Sequence, residues 1–230
     1  MSHTAPLVAA NRTPTTQEIA REGLYLDAYG MAAAKLLSDY PVNIREYVSK
    51  QDVLNPLIDT MAEDGWAFEG SGFFSAVFIK GGLALKFGFK VNDTGAMYAA
   101  WCRANQGKAG VPAIYGITKF SSCYLVLTRR YDKVRSSWLR EDSGETIPEL
   151  RKEFQAIASA LNQGKFWGVK RFDTVKTAAA IREFFSDVAD FDLHESNVMM
   201  DGQGELVITD PISYGTCSGR DTSYYEYTTT

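Results

Sequence analysis

The stretch DFDLHESNVMMDGQGELVITDP, residues 190–211, decides how this chain is read. Asp192 and Asn197 stand five apart in a polar loop that follows an apolar helical segment, and Asp210 comes thirteen residues after Asn197. Between them, Val198–Met200, the turn Asp201-Gly202-Gln203-Gly204 and Glu205–Thr209 read as a hairpin. Out and back cancel along a hairpin, so its two ends meet and three oxygen-bearing side chains converge. Asn and Asp oxygens suit Mg²⁺, a hard cation that keeps several waters and takes substrate phosphates as its other ligands. A second carboxylate beside them can accept a proton from a hydroxyl. The bland alternative, an acidic loop followed by an Asx-rich turn, needs the spacings and the strand context to coincide by accident.

Two further motifs lie upstream. Gly70-Ser71-Gly72-Phe73-Phe74-Ser75-Ala76-Val77 places glycines at a strand–strand turn, where backbone amides can approach a phosphate closely. By itself this is weak, because such a pair more often marks a plain tight turn. Ala84-Leu85-Lys86 falls on the strand that returns against that loop. A lysine between Leu and Phe on a buried strand needs either a partner, such as a phosphate, or a route for its head to solvent.

The rest of the chain frames these motifs. Thr16 is the expected cap of a first helix that Pro41 breaks, and a second helix is predicted over Gln51–Glu63. Residues 66–90 are rich in Phe, Val and Gly and read as strands, with Phe73–Ile79 and Leu83–Phe89 joined by Lys80-Gly81-Gly82. A helix is expected from Gly95 to about Asn105, capped by Asp93 or Thr94. Strands near Ile114–Phe120 and Cys123–Thr128 then turn at Ser121-Ser122. Helices are predicted over Pro148–Leu161 and Thr174–Ala189. The last thirteen residues carry nine hydroxyl side chains and no aliphatic anchor, and read as a tail. The order predicts an α+β chain in two lobes: a helical extension over 1–64, a five-stranded meander unit over 65–131, a reduced helical unit over 132–217, and a tail over 218–230.

Gly-x-Gly-x-x-Ser-x-Val, Ala-Leu-Lys, Asp-x-x-x-x-Asn and a later Asp follow the order and the loop spacing of protein-kinase-like phosphotransferases. The segments GSGFFSAVFIKGGLALKFGFK (70–90), DTGAMYAAWCRANQGKAGVPAIYG (93–116) and FFSDVADFDLHESNVMMDGQGELVITDPIS (184–213) narrow the match. They resemble the early serine/threonine protein kinases of T-seven-like bacteriophages (Autographiviridae), from about Asp64 to Tyr214. The resemblance implies a two-lobed protein-kinase-like fold with a five-stranded antiparallel N-lobe sheet and a reduced helical C-lobe, and an enzyme that uses ATP and Mg²⁺. Gly70, Ser71, Gly72, Phe74, Ser75 and Val77 would cover the nucleotide, and Lys86 would pair with its α- and β-phosphates. Asp192 would orient and deprotonate the acceptor hydroxyl, and Asn197 and Asp210 would hold the metal. His194 either sits near the transferring phosphate or braces the loop. The partners implied are host bacterial proteins phosphorylated on Ser and Thr in the cytoplasm of the infected cell, among them transcription and RNA-processing machinery. Self-association and self-phosphorylation in the tail are left open.

The sequence departs from the wider pattern in several places. Ser75 stands for the third glycine, Asp190 for the usual His, and Pro211 for Phe-Gly. The helix over 95–105 holds no acidic residue to pair with Lys86; Asp93 is the nearest substitute. Twenty residues follow Asp210, without an Ala-Pro-Glu segment, so a protein substrate is expected to dock elsewhere. Longer members of the family carry a basic C-terminal half that this sequence does not show.

Composition excludes several other classes. Lys plus Arg number 24 against 28 Asp plus Glu, a net charge of −4, which argues against direct nucleic-acid binding. The only histidines are His3 and His194, so neither a His-rich metal site nor a His-based triad is expected unless His194 carries it. Three cysteines with no CxxC pair suggest a reducing compartment, and no run of 18 apolar residues predicts a membrane span. Two other readings stand beside the protein kinase. One is a small-molecule phosphotransferase of the aminoglycoside- or choline-kinase type, which shares the Asp192-His194-Asn197 pattern. The other is a kinase-shaped protein that inhibits a host factor by binding, with catalysis dispensable.

Overall fold

A computed structural model describes residues 12–39, 51–72, 75–89, 94–120, 123–141 and 143–214. The first helix, α1, spans Thr16–Asp39. Its cap is Thr15 rather than the expected Thr16. The Glu18 amide donates to Thr15 Oγ1 at 3.2 Å while the Thr15 amide donates to Glu18 Oε2 at 2.8 Å. This reciprocal pair satisfies two amides that the first turn would otherwise leave open. The second helix, α2, spans Gln51–Glu63, as its spacing predicts.

A five-stranded antiparallel sheet follows, from β1 (Ala67–Ser71), β2 (Ser75–Lys80), β3 (Leu83–Gly88), β4 (Ile114–Lys119) and β5 (Tyr124–Arg129). Its spatial order is β1-β2-β3-β5-β4, not a simple meander. The helix α3 (Thr94–Ala104) intervenes after β3, and the β4–β5 hairpin docks by its second strand. The predicted start of β2 at Phe73, with Phe74, lies outside the described residues. In the β2–β3 turn Gly81 has φ 56°, in the left-handed region that glycine enters without steric cost.

Strand alternation explains why β5 is buried almost throughout. Leu125 and Leu127 face one side and join Phe78, Leu85 and Phe87 in a core closed by Leu26, Tyr29 and Ala33 of α1 and Leu54, Leu57 and Met61 of α2. That core runs without a break across residue 64. Tyr124 and Val126 face the other side and pack on Ala99 of α3. A sheet covered on both faces reads as a continuous apolar run rather than an alternating one.

The remaining chain builds a second core. It comprises a short helix α4 (Ser136–Leu139), α5 (Pro148–Gln163), α6 (Asp173–Phe185) and five short strands: β6 (Asp132–Lys133), β7 (Ala189–Phe191), β8 (Val198–Met200), β9 (Leu206–Ile208) and β10 (Ile212–Tyr214). Tyr98, Trp101 and Cys102 of α3 pack into this core beside Ile157, Leu161, Ile181 and Phe185. So α3 packs into the second core and also covers the sheet face opposite the first core. The β8–β9 hairpin forms as expected. The helix predicted to reach Ala189 ends at Phe185, because Ala189–Phe191 pairs antiparallel with Ile212–Tyr214. Among the described residues the architecture is therefore α+β, with one five-stranded antiparallel sheet and six helices. None of these helices is long and apolar enough to cross a membrane.

Candidate active site

The site is assembled by backbone pairing. The two-stranded β7–β10 ladder ends with the Asp192 amide donating to the Pro211 carbonyl at 3.1 Å. On the other side, the Thr209 amide donates to the Asn197 carbonyl at 2.9 Å, and Thr209 Oγ1 donates to the same oxygen at 3.0 Å. Asp210 lies between these two attachments. Each of the three residues picked out by spacing is therefore within one residue of a hydrogen bond linking the loop to the Asp210 segment.

Lys86 reaches this spot from the sheet. On β3 it is paired across from Val77 on one side and Val126 on the other, so it shares their face, the one that α3 covers. Its Nζ contacts Asp210 Oδ2 at 3.0 Å, with the two side chains 24% and 43% exposed. A pair this open contributes at most about 1 kcal/mol to stability. Asp93, the substitute partner expected from the sequence, lies outside the described residues.

Within the loop, Asn197 Nδ2 donates to the Asp192 carbonyl at 2.8 Å, which leaves Oδ1 as the acceptor of that amide. Asn197 Nδ2 also lies 3.1 Å from His194 Nε2, and Ser196 Oγ lies 2.9 Å from His194 Nδ1. The tautomer that satisfies both contacts carries its proton on Nδ1 and accepts at Nε2. Both ring nitrogens are then committed to the loop itself. Asn162, at the end of α5, brackets Leu193 from below: its Nδ2 donates to the Leu193 carbonyl and its Oδ1 accepts from the Leu193 amide, each at 3.0 Å.

The glycine-rich turn stands two residues beyond Lys86 on the same sheet, since Ser75 pairs with Gly88. The Gly72 amide donates to the Ser75 carbonyl at 2.8 Å and closes the turn. The β1–β2 register shifts between Phe68 and Gly70, so Glu69 is left out of the ladder and pairs instead with Lys133 of β6 at 2.9 Å. Gly70, Ser71, Ser75 and Val77 thus lie on the sheet that carries Lys86, with Gly72 in the turn after β1, while Phe74 is outside the described residues.

Two further residues hold the Asp210 segment, both on α3. Tyr98 Oη donates to the Ile208 carbonyl at 2.7 Å, and Thr94 Oγ1 donates to the Ile212 carbonyl at 3.3 Å. They grip the chain two residues before and two residues after Asp210. Burial pushes the Tyr98 phenol well above its usual range, so it remains a donor. Neither was visible in the sequence, because their partners lie 110 and 118 positions away. α3 holds no acidic residue and grips the Asp210 segment through the hydroxyls of Thr94 and Tyr98.

The donor chemistry fits a magnesium ion. Asn197 Oδ1 and the Asp210 carboxylate are hard oxygens on two braced segments, and phosphates and waters complete such a shell. No group of three or more His, Cys, Asp or Glu side chains that could hold a metal occurs among the described residues.

The family described as Bacteriophage T7 protein kinase 0.7 matches residues 34–226. The match spans more than half of the chain, and the chain belongs to that family. A search of curated proteins gives no match.

Proposed function

We propose that this member of the phage kinase family transfers the γ-phosphoryl group of ATP to Ser and Thr hydroxyls of host bacterial proteins, with Mg²⁺, in the cytoplasm of the infected cell. The observation that supports this reading most is the convergence of Lys86, Asp192, Asn197 and Asp210 on one braced spot. Phosphoryl transfer asks little covalent chemistry of a protein; it asks for positioning and charge neutralisation. Lys86 leaves Asp210 and pairs with the phosphates when the nucleotide enters. Asp210 and Asn197 Oδ1 would then hold Mg²⁺, which would supply charge neutralisation to the phosphates. Asp192, exposed at the end of β7, orients the acceptor hydroxyl and takes its proton. His194 acts through the loop, fixing the Asn197 amide by the contact at Nε2. The turn from Gly70 to Ser75 covers the phosphates. Transcription and RNA-processing proteins are the substrates that family resemblance suggests, and hydroxyls of residues 218–230 are candidate self-phosphorylation sites.

Labelled ATP, Mg²⁺ and a bacterial lysate test the reading. The parent chain should label proteins, and Asp192→Ala should lower the transfer rate by about 10²–10⁴-fold. The variant should keep the upward shift in melting temperature that Mg-ATP produces. Label confined to small molecules such as aminoglycosides, or full transfer by Asp192→Ala, would overturn it.

A further inference from the structure

A groove of about 570 Å³ opens directly beside the loop that carries Asp192, lined in part by His194, Glu195 and Ser196. Its floor is apolar: Val134 after β6, Phe154 of α5 and Val198 of β8 all line it. Val134 and Val198 are buried, so the floor is set by the second core and does not depend on a mobile loop. The charged groups along it are Lys133, Arg140 and Glu195.

The balance of these charges has a direction. Lys133 is compensated by Glu69 of β1 at 2.9 Å, although its side chain remains 70% exposed. Arg140 is exposed and has no carboxylate partner among the described residues, and the neighbouring carboxylate of Glu141 is taken by Arg151 at 2.6 Å. Arg140 is therefore the lining cation without a described carboxylate partner, next to the residue proposed to receive the acceptor proton. An arginine with open donors, above an apolar floor, matches a carboxylate on a polypeptide whose neighbouring side chain is aliphatic.

We infer that this groove seats the polypeptide around the accepting hydroxyl and selects segments with carboxylates beside the Ser or Thr. The inference rests on the phosphotransferase reading of the adjacent loop, and it supplies a docking surface within the described chain. Arg140 and Lys133 are its specificity residues, reading charge without touching the reacting atoms.

Two labelled peptides test this, identical in their central Ser and aliphatic residue but flanked by glutamates in one and lysines in the other. Fluorescence anisotropy with the full chain should show the acidic peptide bound about fivefold more tightly, the scale of exposed charge pairs. The double variant Arg140→Glu, Lys133→Glu should lose or reverse that preference while keeping the Mg-ATP melting shift, which shows that it is folded. Equal binding of the two peptides by the parent, or an acidic preference that survives in the double variant, would overturn the inference. Phosphate transfer to the same peptides separates the two readings. Preferential binding without transfer sinks the phosphotransferase reading and leaves the groove standing; transfer to both peptides with equal efficiency does the reverse.

Discussion

Changing Tyr98 to Phe removes one hydroxyl and leaves the packing in place. The side chain is 3% exposed, and its ring stacks on Trp101 at 6.2 Å between centroids and lies against Phe185. All of that survives in Phe. What is lost is the donor to the Ile208 carbonyl, in a residue with no exposed surface, together with the hydroxyl's contact with the Cys102 thiol. A neutral hydrogen bond is worth about 1 kcal/mol net, and a buried carbonyl that loses a donor adds to this, so we expect about 1.5 kcal/mol. For a chain of 230 residues that corresponds to a fall of about 3–6 °C in Tm. The functional effect should be separable. Ile208 is two residues before Asp210, so loosening it should raise KM for Mg-ATP about three- to tenfold, the effect of about 1 kcal/mol of lost positioning. The assay is thermal and urea unfolding with and without Mg-ATP, followed by initial rates at varied nucleotide. A normal Tm would refute the hydrogen-bond argument. A lowered Tm with an unchanged KM would show Tyr98 to be core packing that does not place Asp210.

Two other perturbations follow from the sheet and its covering helix. Glu22 of α1 is 1% exposed and holds Lys80 at 2.8 Å and Arg21 at 2.7 Å, while Tyr29 Oη donates to it at 3.2 Å. Burial alone would raise its pKa, but the hydrogen bonds from Lys80 and then Arg21 prevail and lower it. Its contribution is therefore complete above the ordinary carboxylate range and is lost as pH falls through the lowered value. Glu22→Gln should cost about 2 kcal/mol at neutral pH and flatten the acid limb of a Tm-versus-pH curve; an unchanged acid limb would count against the assignment. Gly88→Ala would place a Cβ 1.9 Å from the ring of Tyr124, which is 1% exposed and cannot swing clear. We expect a loss of about 2 kcal/mol and weaker protection by Mg-ATP, since Lys86 is two residues away; a melting curve matching the parent would show that the ring can yield.

The candidate site was legible where it is local. Asp192, Asn197 and Asp210 stood out because a hairpin's ends must meet; the β8–β9 hairpin brings Asn197 to Asp210, and Asp192 joins them through the β7–β10 pairing. Helices α1, α2, α3 and α5 followed from apolar periodicity, with ends within a few residues. The end of α6 was misread because Val188 and Ala189 continue an apolar pattern, whereas pairing with Ile212–Tyr214 claims residues 189–191. Pairing with a distant strand leaves no mark on local periodicity. The strand order failed for the same reason: nothing in β4 or β5 alone says which of them docks against β3.

By itself, the sequence determined the candidate polar residues and their spacing along the loop, because turns and hairpins are short-range objects ruled by local sterics. Only the tertiary structure decided what each residue leans on. Lys86 and Asp210, 124 positions apart, meet because strand alternation turns Lys86 toward the α3 face, where the second core delivers Asp210. Thr94, Tyr98 and Asn162, ordinary in sequence, became supports of the site because buried carbonyls and amides from distant segments require partners. The groove and its cations exist only once β6, α5 and the loop after β7 are packed side by side.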